Sequence, residues 1–390
     1  MTAGAPADEG PANEAAAGDA EVPLRVTTLE IFFDLVFAFT LTQLTSVLAT
    51  RLTWQAVGQV LLIFGLLWWM YGAYAWLTNS RPPVHTAERL LLLVGMAGFL
   101  IVGLAIPRGF GSYGIVLGVG YLVVVVVHAL LYYRVNANIM RVAPFNIASA
   151  LLVIAAGLAD STSGLTAYAL WIVALAVQLG SPLVVHPAGL FELRPAHFSE
   201  RHSALLIVAI GESVAAVGIG AAGPASQPGG ASWRLLAGAV LGLAVAAALW
   251  WIVFGAGDDE RAAEVMTRAS SERRPVLALS AFFYGYIPLL LGLVAIAAGV
   301  LDAVLAVGKP GAGFGPHATL GQAALLAIGT ALFLAGNVVI RGQLGIGPVR
   351  PRSVASAAAL ATTAVGVAAG LEAQLIVVAA VLVAPLIAER

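Results

Sequence analysis

Cysteine is absent from the 390 residues, which excludes disulfides, thiolate metal sites and thiol nucleophiles. Lysine occurs once, at Lys309, against 18 arginines, an imbalance that points to a GC-rich bacterial genome. Charged residues of both signs make up only 10 % of the chain, where a soluble domain carries about 25 %. A net charge of −1 with no basic stripe excludes nucleic acid as a partner. No glycine loop cradles a phosphate ahead of a lysine, and no Gly-x-Ser-x-Gly elbow is present, so the sequence implies no cofactor. What is abundant is apolar: 60 % of residues are hydrophobic. The partner this predicts is the lipid bilayer, and the fold class is an all-α, polytopic membrane bundle.

Residues 1–25 are rich in Ala, Gly and Pro and carry five acids with no base before Arg25. A signal peptide would start basic and continue into an apolar core. This stretch instead predicts a disordered cytoplasmic leader. A membrane helix needs roughly 20 mostly apolar residues, and twelve such runs follow: 29–49, 56–77, 89–106, 113–133, 144–159, 165–186, 203–220, 234–256, 276–300, 319–340, 353–370 and 372–388. The joint Gly370-Leu371-Glu372 reads either as a turn between two spans or as a break in one re-entrant segment. Cytoplasmic loops collect Lys and Arg, and with twelve spans the 19 bases divide 15 to 4 between the two sides. That split predicts both termini inside, at the inner membrane of a bacterium.

The two halves echo one another in order. Leu67-Trp68-Trp69 with Gly72-Ala73 is repeated as Leu249-Trp250-Trp251 with Gly255-Ala256. Pro144 followed by Ile147-Ala148-Ser149-Ala150 returns as Pro351 followed by Val354-Ala355-Ser356-Ala357. Gly120 and His128 match Gly329 and Asn337, and Pro182-Leu183 matches Pro385-Leu386. The expectation is a six-plus-six parallel repeat, with residues 26–187 as one half and 188–390 as the other within a single membrane domain. Transporters built on such repeats place their sites at the repeat interface. Shared composition is the alternative explanation of the echoes. Both Trp pairs read as interfacial anchors or packing rather than a binding box.

Ionisable groups inside spans are rare and tend to face a cavity or a partner. Here they are Asp34, His128 and Glu212, accompanied by Ser213 and Asn337. Glu30 is expected at the wet edge beside Arg25. Asp34, one turn deeper, needs a donor from His128 or an arginine, or a proton of its own. The alternative is a structural pair tying helices together. Glu212 is placed near the midplane as a proton or cation site, and Asp34, His128 and Glu212 are expected to share one interior hollow. His197, Glu200, Arg201 and His202 open span seven; the two histidines stand five apart, on different helix faces, so a zinc motif is not predicted. They read as a cytoplasmic rim.

Leu29-Glu30-Ile31-Phe32-Phe33-Asp34-Leu35-Val36-Phe37, then Ala105-Ile106-Pro107, His197 with Glu200-Arg201, and Gly211-Glu212-Ser213 resemble the bacterial low temperature requirement A (LtrA) family over nearly the whole chain after the leader. The family often carries an acidic Phe-Asp-Thr-Asp stretch where this chain reads Asn79-Ser80-Arg81-Pro82-Pro83, and histidines where Tyr286 and Asn337 stand. The resemblance implies a multi-pass inner-membrane protein linked by name to growth in the cold, and it supplies no reaction. The function expected from the residues is a proton- or ion-coupled carrier of a small solute. The alternatives are an intramembrane enzyme acting on a lipid or isoprenoid, with Asp34, His128 and Glu212 as acid or base, or a non-catalytic scaffold. A bundle of this kind also allows assembly with copies of itself.

Overall fold

A computed structural model of the chain describes residues 26–133, 139–159, 164–185, 193–225, 233–307 and 317–389. The expected leader therefore lies outside the described residues. Those that are described are helical and contain no strand. Twelve helical segments among them are long and apolar enough to cross a membrane. In order, α1 is Thr28–Thr50, α2 Trp54–Ser80, α3 Thr86–Ala105, α4 Gly114–Tyr132, α5 Ile139–Ala159, α6 Gly164–Val184 and α7 Pro195–Ala225. They are followed by α8 Trp233–Trp250, α9 Asp258–Arg268, α10 Arg273–Leu277, α11 Tyr286–Val307, α12 Leu320–Leu344, α13 Arg350–Ala369 and α14 Leu371–Ala388. We call the side where α1 begins and α14 ends the terminal face.

Local chemistry sets where helices start and stop. Thr27 and Glu30 form a capping box at the head of α1, and Thr319 with Gln322 does the same for α12, satisfying amide groups that would otherwise be orphaned. Gly370, at φ +90°, breaks the chain between α13 and α14. The two helices pack on each other as separate spans, so the joint is a turn and the re-entrant alternative is discarded.

The eighth and ninth segments each run 34 residues, Leu235–Arg268 and Arg273–Ala306. At 1.5 Å per residue such lengths far exceed a hydrocarbon core of about 30 Å. Each contains a π-helical turn, Trp251–Gly255 and Ala278–Tyr284. In the eighth, Gly257 at φ +69° then turns the chain into α9, whose sequence DDERAAEVMTR is far too polar for hydrocarbon.

Packing is closest where glycines meet. A side chain on Gly292 would collide with the backbone of Phe333 at 2.5 Å and the carbonyl of Gly329 at 2.6 Å, which brings α11 and α12 backbone to backbone. Gly98 and Gly120 do the same for α3 and α4. Without a hydrophobic force between helices in lipid, such close contact supplies the association energy. The two tryptophan pairs part company. Trp68 is buried and donates its indole N–H to the Phe283 carbonyl at 3.1 Å, whereas Trp250 and Trp251 are largely exposed on the outside of the bundle.

Candidate functional site

Residues four apart on a helix share a face. Glu30 and Asp34 on α1 form one such pair, and His197 and Arg201 on α7 form another. Those two faces meet. Arg201 places Nη1 3.3 Å from Glu30 Oε1 and Nη2 3.4 Å from Asp34 Oδ1, while His197 Nε2 lies 3.2 Å from Glu30 Oε2. Span two closes the third side. The Tyr71 hydroxyl donates to Asp34 Oδ1 at 3.0 Å, and Thr78 Oγ1 accepts from Arg201 Nη1. The guanidinium also lies over the rings of Phe33 and Tyr71, 5.4 and 5.7 Å from their centroids, geometry that favours a cation.

Two expectations are corrected here. Glu30 is not at a wet edge: it is 0 % exposed, and one carboxylate serves both the capping box and the ion cluster. His197 and Arg201 are not a rim; both are 1 % exposed. Only Glu200 of that motif faces outward, accepting the Val26 amide at 3.4 Å.

The histidine tautomer follows from its neighbour. Asn79 Oδ1 accepts the Arg194 amide at 2.9 Å, so Asn79 Nδ2 is the donor, both to the Arg194 carbonyl at 2.9 Å and to His197 Nδ1 at 3.2 Å. With Nδ1 accepting, the proton resides on Nε2 and is given to Glu30. His197 is then neutral. The cluster holds two carboxyls against one guanidinium, and Asp34 Oδ2 and Arg201 Nε have no hydrogen-bond partner among the described residues. Buried charge without compensation is strongly unfavourable.

The remaining candidates do not join this cluster, and the shared hollow is not what the coordinates show. Glu212 lies deeper on the same α1–α7 seam, where Thr42 Oγ1 donates to its Oε2 at 2.5 Å. Thr42 stands eight residues beyond Asp34, about 12 Å further along α1. Glu212 Oε1 and the buried Ser213 Oγ beside it are unpartnered among the described residues. Asn337 belongs to a third group: its Oδ1 accepts from Arg352, which also reaches Asp258 at 2.8 Å and Glu389 at 3.0 Å. Arg341 grips Asp258 through Nε at 2.6 Å and Nη2 at 2.9 Å. This network is dense and nearly sealed from solvent, and sequence reasoning had assigned its arginines to loops.

Of the donors expected for Asp34, an arginine or His128, it is Arg201 that reaches it; one ring nitrogen of His128 is held by the Ala73 carbonyl, and Nε2 has no partner among the described residues. It lines a cavity of about 410 Å³ whose wall includes Trp69, Ala73, Tyr132, Asn146 and Phe283. This chamber lies at the terminal-face end of the bundle, across α2 from Asp34: Tyr71 points to the cluster, Trp69 and Ala73 to the chamber. Neither the chamber nor Tyr71, Thr78 and Asn79 was foreseen; the two polar residues ending an otherwise apolar span were the only signal.

Twelve apolar helices enclosing buried ionic clusters define a multi-pass helical membrane protein. The chain belongs to the family described as bacterial low temperature requirement A protein (LtrA), whose profile matches residues 25–388. It is similar to an uncharacterized protein of Rhizobium meliloti (strain 1021), 27 % identical over 287 residues, which cover 69 % of this chain and 67 % of the relative.

Proposed function

We propose that this protein is a proton-coupled secondary carrier of the bacterial inner membrane, with the terminal face cytoplasmic. The observation that carries the reading is the α1–α7 seam. It holds Glu30, Asp34 and Arg201 near the terminal face and Glu212 deeper in, each carboxyl of the deeper pair having an oxygen to spare. With His197 neutral, one proton on the carboxyl pair balances Arg201, and its loss would leave a buried net charge that favours rearrangement of α1 against α7.

The six-plus-six repeat supports the same reading. α1 packs on α3 as α7 packs on α11; α3–α4, α4–α5, α5–α6 and α2–α6 are matched by α11–α12, α12–α13, α13–α14 and α8–α14. The glycine crossing of Gly98 with Gly120 is matched by Gly292 with Gly329. Thr42 and Glu212 stand 170 residues apart, and the same offset carries Glu30 onto Glu200. Across the seam the second half's His197 binds Glu30 and the first half's Val26 binds Glu200, one residue out of register from a strict exchange. Carriers built on such repeats place their sites at the repeat interface.

The test is reconstitution into liposomes enclosing a pH-sensitive dye, challenged with fractionated water-soluble and lipid extracts of bacterial cells. A fraction should evoke proton movement that Asp34→Asn and Glu212→Gln abolish while the protein stays folded. Proton movement no greater than in protein-free vesicles for every fraction, or unchanged in both variants, overturns the reading.

A further inference from the structure

The chamber across α2 from the ion cluster has features that select an occupant. Its described lining residues carry no formal charge if His128 is neutral: Trp69, Trp76, Tyr132, Phe283 and their apolar neighbours make up nearly all of it. The polar groups are few: the unpartnered Nε2 of the buried His128, the Tyr132 hydroxyl and the amide of Asn146, whose Oδ1 already accepts the Trp69 indole N–H at 3.1 Å and Gln178 Nε2 at 3.3 Å. At the chamber's outer side stand Val276 and Leu279, 62 % and 44 % exposed, with Pro182 also exposed. A port to water would be framed by polar side chains, whereas this one is framed by groups at home in hydrocarbon. The wall nearest the mouth is the π-helical turn Ala278–Tyr284, a conformation found frequently at functional sites.

The equivalent place in the other half is narrow. Under the repeat, Tyr132 corresponds to Arg341 and His128 to Asn337, and there Arg341, Arg352, Asp258 and Glu389 form the ion network described above beside a cavity of only about 30 Å³. One half keeps a roomy chamber where its counterpart is mostly occupied by paired ions. A volume of about 410 Å³ falls within the range of roughly 300 to 1,000 Å³ typical of ligand pockets.

We infer that this chamber binds a neutral, chain-bearing amphiphile drawn from the adjacent leaflet, its hydrocarbon against Trp76, Tyr132 and Phe283 and its hydroxyl or carbonyl head hydrogen-bonded at His128 and Asn146. A phosphate or carboxylate head is disfavoured, because no described lining residue supplies a cation to receive it. The inference rests on the carrier reading only in naming this occupant as its cargo; the binding itself stands apart.

The experiment uses the purified full chain in detergent, with no gradient, and a clickable diazirine-bearing hexadecanol as probe beside its phosphate ester. The alcohol should label, saturably, peptides spanning Trp69–Trp76, His128–Tyr132 and Pro275–Phe283. Leu279→Trp, which fills the chamber, should abolish that labelling, and His128→Phe should weaken it about fivefold, the worth of one hydrogen bond. Thermal unfolding of each variant checks its fold, and the mapped peptides of the parent decide the matter should a variant not fold. Labelling spread evenly over the lipid-facing helices, or equal labelling by the phosphate ester, overturns the inference. A chamber left unlabelled while extract-driven proton flux persists refutes the occupant and spares the carrier; a labelled chamber with no flux does the reverse.

Discussion

Replacing Arg201 by methionine removes the only guanidinium facing Glu30 and Asp34 among the described residues. At separations of 3.3 and 3.4 Å, whichever of the two carboxyls is ionised gains about 5 kcal/mol from Arg201 at an effective dielectric of roughly 20. Desolvating each ion opposes this by several kcal/mol. The net worth of the intact cluster is therefore small, whereas breaking it is not: one partner's removal from a buried pair costs about 3 to 5 kcal/mol, because the charge left behind has no compensation. Arg201→Met should lose that amount. Adding Glu30→Gln and Asp34→Asn to it leaves no charge, keeps the Thr27 cap and the Tyr71 hydrogen bond, and should return stability to within about 2 kcal/mol of the parent. Arg201→Lys should fall between, since a single ammonium cannot span Glu30, Asp34 and Thr78 as the planar fork does. Reversible unfolding in mixed micelles with rising SDS, followed by helical signal, measures all four. The reasoning fails if Arg201→Met lies within about 0.5 kcal/mol of the parent, or if the triple variant is no more stable than the single one.

Three further outcomes can be checked on the same preparations. Asp258→Ala leaves Arg341 and Arg352, both about 1 % exposed or less, to share Glu389, two buried guanidiniums against one carboxylate, and should cost about 3 to 5 kcal/mol in the SDS titration. Gly292→Val would push α11 from α12 by driving a side chain into the Gly329 carbonyl; at least about 1 to 3 kcal/mol of overpacking should appear as a lower yield of monodisperse protein on size exclusion. Gly370→Ala asks a residue with a Cβ to hold φ +90°, so thermal unfolding should show a loss of about 1 to 3 kcal/mol.

Much of the architecture was legible because hydropathy is counted residue by residue and needs no knowledge of neighbours. The twelve apolar runs and their joints follow from it, including the weak final pair split at Gly370. The sites were harder to read for a physical reason. Loop counting treats every arginine as solvated, yet Arg201, Arg341 and Arg352 end spans by turning inward onto carboxylates, and nothing in their own segments says so. The spacing that mattered was present, since Glu30 with Asp34 and His197 with Arg201 are both four apart, one pair of acceptors and one of donors. Reading the His197–His202 interval for a metal drew attention to the wrong pair. The chamber has no linear signature at all, because its wall is assembled from five spans, one of them bent by a π turn that hydrophobic periodicity does not register.

The carboxylate of Glu30 is at once the clasp of the first helical turn and a member of the ion cluster. Any event that draws it toward or away from Arg201 must tighten or fray the opening of α1. News of the protein's interior is thereby delivered to the surface as a change in how firmly its first helix is wound, through a single side chain and without any long-range relay.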